Sequence, residues 1–145
     1  MTALLDVNVL VALAFPNHIH HARAHAWFAA RERGAWATCP TTQTGFVRVS
    51  SNPKIIPEAP SPADALALLR LIVALDGHVF WADTASPADD AHGAFQRVVG
   101  YRQVSDAHLV ALAVERHGRV ATFDRGFGAL VPAGLQPDDV VLLIS

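Results

Sequence analysis

The sequence is poor in cysteine and in charged residues. Its 145 residues include one cysteine, Cys39, so no disulfide can form within the chain. A single cysteine fits a reducing compartment such as the cytoplasm. Charged residues make up 17% and hydrophobic residues 52% of the chain, which argues against disorder. We therefore expect one compact domain over residues 1–145.

Long hydrophobic runs are also missing. The longest apolar stretch, residues 65–75, is interrupted by Arg70, and a membrane span needs about 20 residues. The N-terminus is apolar but lacks a basic segment and carries Asp6 inside the run, so it does not read as a signal peptide. The sequence predicts a soluble cytoplasmic protein with no membrane partner.

Positive charge is scarce as well. The net charge is -2 and the isoelectric point is about 6.4, whereas nucleic-acid-binding domains are often strongly basic. A nucleic-acid function would therefore need another source of positive charge. A bound divalent cation is such a source, because it brings charge to an acidic site.

Strands and helices alternate along the chain. Short apolar runs predict strands at residues 3–6, 35–39, 78–82, 119–124 and 140–144. Helical patterns fill residues 7–15, 18–33, 40–51, 63–75, 86–98 and 106–117. Ser61 with Pro62 and Ser105 predict two of the helix starts. This order indicates an α/β fold, a three-layer α/β/α sandwich with a central, mostly parallel sheet of about five strands.

Three distant aspartates are predicted to meet at one edge of this sheet. Asp6 and Asp124 end predicted strands, and ligands gather beyond the carboxyl ends of parallel strands. Asp106 starts a helix of about 12 residues, which carries the chain about 18 Å away. The following strand of about six residues returns it by about 20 Å. Asp124 therefore comes back level with Asp106.

A cation would resolve the repulsion between these carboxylates. Clustered, partly desolvated carboxylates raise each other's pKa unless a positive charge joins them. Oxygen ligands without a histidine or cysteine cluster favour Mg²⁺ or Mn²⁺, and such an ion activates water for phosphodiester hydrolysis. The sequence predicts a metal-dependent nuclease site with Asp6, Asp106 and Asp124 as metal ligands. Taken singly, each residue could instead be a helix cap, a first-turn acid or a turn residue.

Three segments carry a resemblance to a known family. They read LLDVNVLVALA, CPTTQTGFVRVSSNP and VSDAHLVALAVERHGRVATFD, and together they resemble PIN-domain proteins, in particular the VapC-type toxins of bacterial toxin–antitoxin pairs. The match covers nearly the whole chain in order. The resemblance implies a single PIN-like domain that is a metal-dependent endoribonuclease. It also implies a homodimer that a cognate antitoxin silences in a hetero-oligomer.

The same resemblance implies residue roles. The first, third and fourth family acids fall on Asp6, Asp106 and Asp124. Polar side chains that support such a site fall on Asn8, Ser105 and Thr122.

One position departs from the family pattern. The second acid, usually glutamate, is Gln43 here, which keeps an oxygen but removes a negative charge. We expect Gln43 to remain a catalytic-site residue that bonds metal-bound water, with weaker metal affinity or activity. The alternative function is a catalytically impaired PIN-fold module that binds RNA or the antitoxin.

Arginines and histidines suggest further contacts. Arg48, Arg102 and Arg125 flank the predicted active edge and are candidates to bind RNA phosphates, with surface salt bridges as the alternative. His21 and His25 stand at helical i, i+4 spacing, but no cysteine or carboxylate completes a metal site. We interpret the histidine-rich segment as a solvated helix start with ring packing.

The sequence also predicts where two tryptophans and one apolar helix lie. Trp36 and Trp81 lie in or beside predicted strands and are expected in the core rather than as base-stacking surfaces. Residues 65–75 are apolar on nearly every side, so this helix either contacts a partner or belongs to the core.

Overall fold

A computed structural model describes residues 1–31 and 34–145. Its five strands form one sheet in the order β3-β2-β1-β4-β5, and every neighbouring pair is parallel. The strands are β1 Ala3–Leu5, β2 Trp36–Thr38, β3 His78–Phe80, β4 Arg119–Thr122 and β5 Val141–Leu143. The predicted fold class is confirmed, with β1 at the centre of the sheet.

Within the described residues, six α-helices connect these strands. They are α1 Val7–Ala14, α2 His21–Ala30, α3 Pro40–Ser50, α4 Pro62–Val73, α5 Val104–Glu115 and α6 Pro137–Val140. Three short 3₁₀ helices cover Ala94–Arg97, Tyr101–Gln103 and Arg125–Leu130. The predicted cap of α4 is confirmed, because the Ser61 hydroxyl accepts a hydrogen bond from the Asp64 amide and Pro62 is the first helical residue.

Two apolar clusters lie on opposite faces of the sheet. Because strand side chains alternate, Leu4 and Val120 pack with α5 on one face. Leu5 and Ala121 pack with α1, α3 and α4 on the other. Trp36 and Trp81 are both buried, which confirms their predicted place in the core. The result is a three-layer sandwich.

One predicted helix is wrong. Residues 86–98 form turns and a single 3₁₀ helix, Ala94–Arg97. Asp90 and Gly93 have φ angles of 44° and 77°, and such left-handed residues interrupt an α-helix. The Asp90 carboxylate instead accepts a hydrogen bond from the Phe95 amide at 3.2 Å.

Several element boundaries also differ from the prediction. Helix α5 begins at Val104, so Ser105 lies inside its first turn rather than capping it. Strand β4 ends at Thr122, and Asp124 caps the 3₁₀ helix that follows. Helix α2 begins at His21 rather than residue 18. Its predicted C-terminal residues 32 and 33 lie outside the described residues.

Helix α4 has apolar residues both on its buried side and on its exposed side. Ala65, Leu69 and Ile72 are buried, whereas Leu71 is 69% exposed and Leu66 is 38% exposed. The helix therefore supplies core on one side and leaves an apolar surface on the other. In the described part of the chain, no helix has the length and apolar character that crossing a bilayer requires.

The fold predicts a sharp intolerance at Gly118, which lies between α5 and β4. A Cβ atom there would stand 2.6 Å from the Thr2 carbonyl oxygen and 2.6 Å from the Trp81 ring. Such overpacking costs about 1–3 kcal/mol, so Gly118→Ala should lower the free energy of unfolding by that amount in urea denaturation. Gly100→Ala is the matched control, because no atom lies within 4 Å of its added Cβ. Equal stability of the two variants would contradict the packing at Gly118.

Candidate active site

A cavity of about 440 Å³ opens at the carboxyl edge of the sheet. Asp6 follows β1, Asp124 follows β4, and Asp106 lies in the first turn of α5. All three line this cavity, which we call the acidic pocket. The structure thus brings together three carboxylates that lie up to 118 positions apart in the sequence.

Asp6 is the most enclosed of the three acids, with 8% of its surface exposed. Its Oδ1 accepts a hydrogen bond from the Val7 amide at 2.7 Å, so Asp6 caps α1. Its Oδ2 accepts one from the Thr122 hydroxyl at 2.7 Å. Both oxygens are therefore held in place, and the carboxylate has little freedom to turn.

Thr122 joins two of the acids. Its buried hydroxyl donates to Asp6 and accepts a hydrogen bond from the Asp124 amide at 3.0 Å. The Asn8 amide group donates to the same oxygen at 3.4 Å. One hydroxyl thus fixes the first acid, the backbone of the last acid and a neighbouring polar side chain.

Two of the three acids, Asp6 and Asp106, have raised pKa values. Burial raises the pKa of Asp6, against the hydrogen bonds from Thr122 and Val7, and the charge of Asp124 raises it further. Burial followed by the charges of Asp6 and Asp124 raises the pKa of Asp106 to about 7. Close like charges shift pKa values in this direction. The pocket therefore favours any positive charge that enters it.

The donor set fits a hydrated divalent cation. Within residues 1–31 and 34–145, no three His, Cys, Asp or Glu side chains stand close enough together to hold one ion directly. Mg²⁺ usually binds through one or two carboxylates and keeps several waters, so this spacing suits it better than a closed zinc site. The Asn8 Oδ1 atom, buried without a hydrogen-bond partner, is a further oxygen donor at the pocket wall.

The other predicted site residues divide into two groups. Asn8 and Ser105 line the acidic pocket, and Thr122 lies beneath it. Gln43 does not join the three aspartates. The side of α3 that lines the pocket carries Thr41, Gly45 and Arg48. Gln43, two residues after Thr41, projects from another side because a helix turns about 100° per residue.

Gln43 has a different partner. Its Nε2 atom donates to the Thr38 hydroxyl at 2.9 Å, and the same hydroxyl lies 2.7 Å from the His78 Nε2 atom. Gln43 thus forms a hydrogen-bonded set with Thr38 of β2 and His78 of β3. Gln43 is therefore bonded to Thr38 and is not among the residues that line the acidic pocket.

The three arginines also occupy different places. Arg48 lines the acidic pocket, whereas Arg102 is exposed beside the Tyr101 ring and Arg125 is exposed after β4. The ion pair between His108 and Asp83 is the one found among the described residues. The alternative reading of the arginines as surface salt bridges therefore has no support in the described part of the chain.

Asp83, which follows β3 at the same edge, was not predicted from the sequence. Its Oδ2 accepts hydrogen bonds from the Thr41 amide at 3.1 Å and hydroxyl at 2.8 Å. Its Oδ1 lies 3.1 Å from the His108 Nε2 atom. Burial raises its pKa, but the hydrogen bonds from Thr41, His108 and Cys39 outweigh burial and lower it overall. The signal was present, since an acid directly after a parallel strand follows the rule that located Asp6.

The histidine-rich segment is partly exposed, with His25 at the surface, and its rings pack as predicted. The rings of His21 and His25 are 4.3 Å apart and contact the carbonyl oxygens of Ala12 and Leu13 at 2.7 and 3.2 Å. These contacts hold α2 against the end of α1. His18 has another place, in the wall of the acidic pocket.

The raised pKa of Asp106 predicts a pH-dependent stability of the metal-free protein. In the folded chain the Asp106 carboxyl keeps its proton up to about pH 7, whereas in the unfolded chain it releases the proton near pH 3.8. The contribution of Asp106 to the free energy of unfolding therefore falls as pH rises between these two values. Asp106→Asn should therefore gain stability relative to wild type from pH 4 to 7, with no further gain above.

Urea denaturation in chelator across this pH range measures the difference between the two proteins. Asp138→Asn, at an exposed position in α6, is the control and should run parallel to wild type. A constant difference between Asp106→Asn and wild type at every pH would contradict the electrostatic account.

Comparisons with known proteins assign the family. The PIN domain family matches residues 3–131. The chain is 55% identical over 124 residues to Ribonuclease VapC38 of Mycobacterium tuberculosis, covering 86% of each chain. It is 45% identical to Ribonuclease VapC39 of that organism, over 93% of this chain and 97% of the relative. Ribonuclease VapC44 of the same organism is 42% identical, over 92% and 94%. The chain therefore belongs to the PIN-domain family, among its VapC-type members.

Proposed function

We propose that this protein is a metal-dependent endoribonuclease, the toxin of a type II toxin–antitoxin pair, formed as one domain over residues 1–145 and acting in the cytoplasm. The observation that carries the proposal is the acidic pocket, in which burial and neighbouring carboxylates raise the pKa values of Asp6 and Asp106. The relatives named ribonucleases support the substrate class. Mg²⁺ or Mn²⁺ fits the oxygen donors, and RNA supplies the phosphodiester.

Each pocket residue has a distinct part in this chemistry. A bound cation supplies an activated water and stabilises the leaving oxygen. Asp6 provides a fixed carboxylate, because the Val7 amide and the Thr122 hydroxyl hold both its oxygens. Asp106 and Asp124 complete the negative wall of the pocket. Asp124 keeps one oxygen for the ligand while its Oδ1 accepts a hydrogen bond from the Gly126 amide at 2.8 Å.

Substrate binding needs positive charge near this wall. Arg48 lines the acidic pocket and binds a phosphate of the RNA beside the cleaved bond. Arg102 and Arg125, both exposed, bind phosphates farther along the strand. Phosphate contacts of this kind supply most sequence-independent affinity for nucleic acid. The modest net charge of -2 is thus compatible with RNA as substrate.

Protein partners follow from the family. The cognate antitoxin and a second copy of the chain are the proposed partners, in a hetero-oligomer that keeps the toxin silent. The exposed apolar side of α4, with Leu66 and Leu71, is the candidate contact surface.

The main evidence for the alternative function, an impaired binding module, is weakened by the structure. It rested on Gln43 in place of a family glutamate, but the Gln43 amide bonds Thr38 away from the acidic pocket. The charge of the pocket is set by the three aspartates instead. The geometry therefore favours the enzyme over the binding module.

The proposal predicts that Asp6→Asn abolishes RNA cleavage without unfolding the protein. Asparagine still caps α1 but removes a negative charge from the pocket. The rate of cutting structured RNA with Mg²⁺ or Mn²⁺ should fall by more than the ~10–100-fold that loss of a partner of a metal ligand costs. Mn²⁺ should also raise the melting temperature of wild type more than that of the variant.

Asp64→Asn is the matched control for this test. Asp64 is an exposed acid in the first turn of α4, away from the pocket, so its cleavage rate and Mn²⁺ response should equal those of wild type. Equal cutting by Asp6→Asn would defeat the assignment.

A further inference from the structure

A second cavity, of about 390 Å³, adjoins the acidic pocket. It lies between the connector from α1 to α2 and the segment after α3, and we call it the side pocket. His18 and Ile55 line both cavities. A ligand held in the acidic pocket therefore has a direct neighbour site on this side.

The walls of the side pocket are mostly apolar. They are formed by Phe15, Pro16, Ile19, Ile55, Ile56 and Pro57. Ile19 is 86% exposed and Ile55 is 52% exposed. Single exposed apolar residues are ordinary, but two on the wall of one concave surface favour a ligand with an apolar face.

Three polar side chains, those of Asn17, His18 and Glu58, give this cavity a recognition edge. The His18 Nδ1 atom accepts a hydrogen bond from the His20 amide at 3.0 Å, so a neutral ring carries its proton on Nε2, as a donor. The Glu58 carboxylate is an acceptor, and among the described residues no side-chain hydrogen bond engages it. Glu58 also has a φ of 56°, a strained conformation for a side chain of this kind. Such strain clusters at ligand sites.

These properties select one chemical class of ligand. A nucleobase has flat apolar faces and a polar edge, and proteins read single-stranded RNA by taking unstacked bases into such cavities. The shared wall at His18 and Ile55 places that base beside the phosphate in the acidic pocket. Glu58 can only accept hydrogen bonds when ionised, so a base with an amino group fits better than uracil.

We propose that the side pocket binds one unstacked, amino-bearing nucleobase of the RNA next to the cleaved phosphate, and so sets sequence preference. This inference rests on the proposed ribonuclease function. A peptide of the antitoxin is the competing occupant. The small concave shape, the continuity with the acidic pocket and the donor–acceptor pair favour the base.

Cleavage of an RNA pool with random sequence tests the proposal. Wild type should prefer an amino-bearing base at one fixed position beside the cut. Ile19→Ala and Glu58→Gln should each reduce that discrimination by about tenfold, the size expected for lost contacts in a hydrophobic pocket. Leu135→Ala, at an exposed apolar position before α6, is the control and should leave the preference unchanged. Unchanged preference in both side-pocket variants would overturn the proposal.

A binding measurement separates this inference from the proposed function. AMP, CMP, GMP and UMP are titrated into ¹⁵N-labelled protein, which requires no cleavage. Shifts confined to residues 15–19 and 55–58, weakest for UMP and reduced in Ile19→Ala, support the side pocket even if the protein cuts no RNA. No shifts there would overturn it. Variants that weaken antitoxin binding but keep the wild-type nucleotide response would also overturn it, in favour of a peptide site.

Discussion

The site depends on a buried carboxylate at the end of the central strand. Asp6 is 8% exposed, and burying a charge is costly unless hydrogen bonds or an opposite charge compensate. The Val7 amide and the Thr122 hydroxyl provide two hydrogen bonds, yet the pKa of Asp6 stays raised. A divalent cation bound beside Asp6 would supply the missing compensation, as the proposed function requires.

Parallel topology explains how this constraint is met by distant residues. β1 and β4 are neighbours and parallel, so Asp6 and Thr122 leave the sheet at the same edge. Helix α5 begins at that edge with Asp106 in its first turn, and β4 then returns the chain to the same edge. Asp83, after β3, fixes α3 through Thr41. The ends of the strands and the first turns of α3 and α5 thus form the wall of the pocket.

The sequence was most informative about topology and least about helix faces. Alternating strands and helices predicted the parallel sheet, and the strand-end rule located Asp6 and Asp124 at one edge. The family pattern placed Gln43 in the site, but the rotation of α3 about its axis turns Gln43 toward Thr38, and that rotation depends on packing between helices. The helix predicted at residues 86–98 failed because Asp90 and Gly93 adopt left-handed angles, which the pattern alone does not reveal.

The shared electrostatics of the three acids can be measured at a single carboxyl group. NMR titration of the Asp106 side chain in metal-free protein should give a pKa of about 7. In Asp6→Asn this pKa should fall, because one of the neighbouring charges that raise it is gone. A pKa in the ordinary carboxyl range in wild type, or one that ignores the substitution at Asp6, would contradict the account of a common acidic pocket.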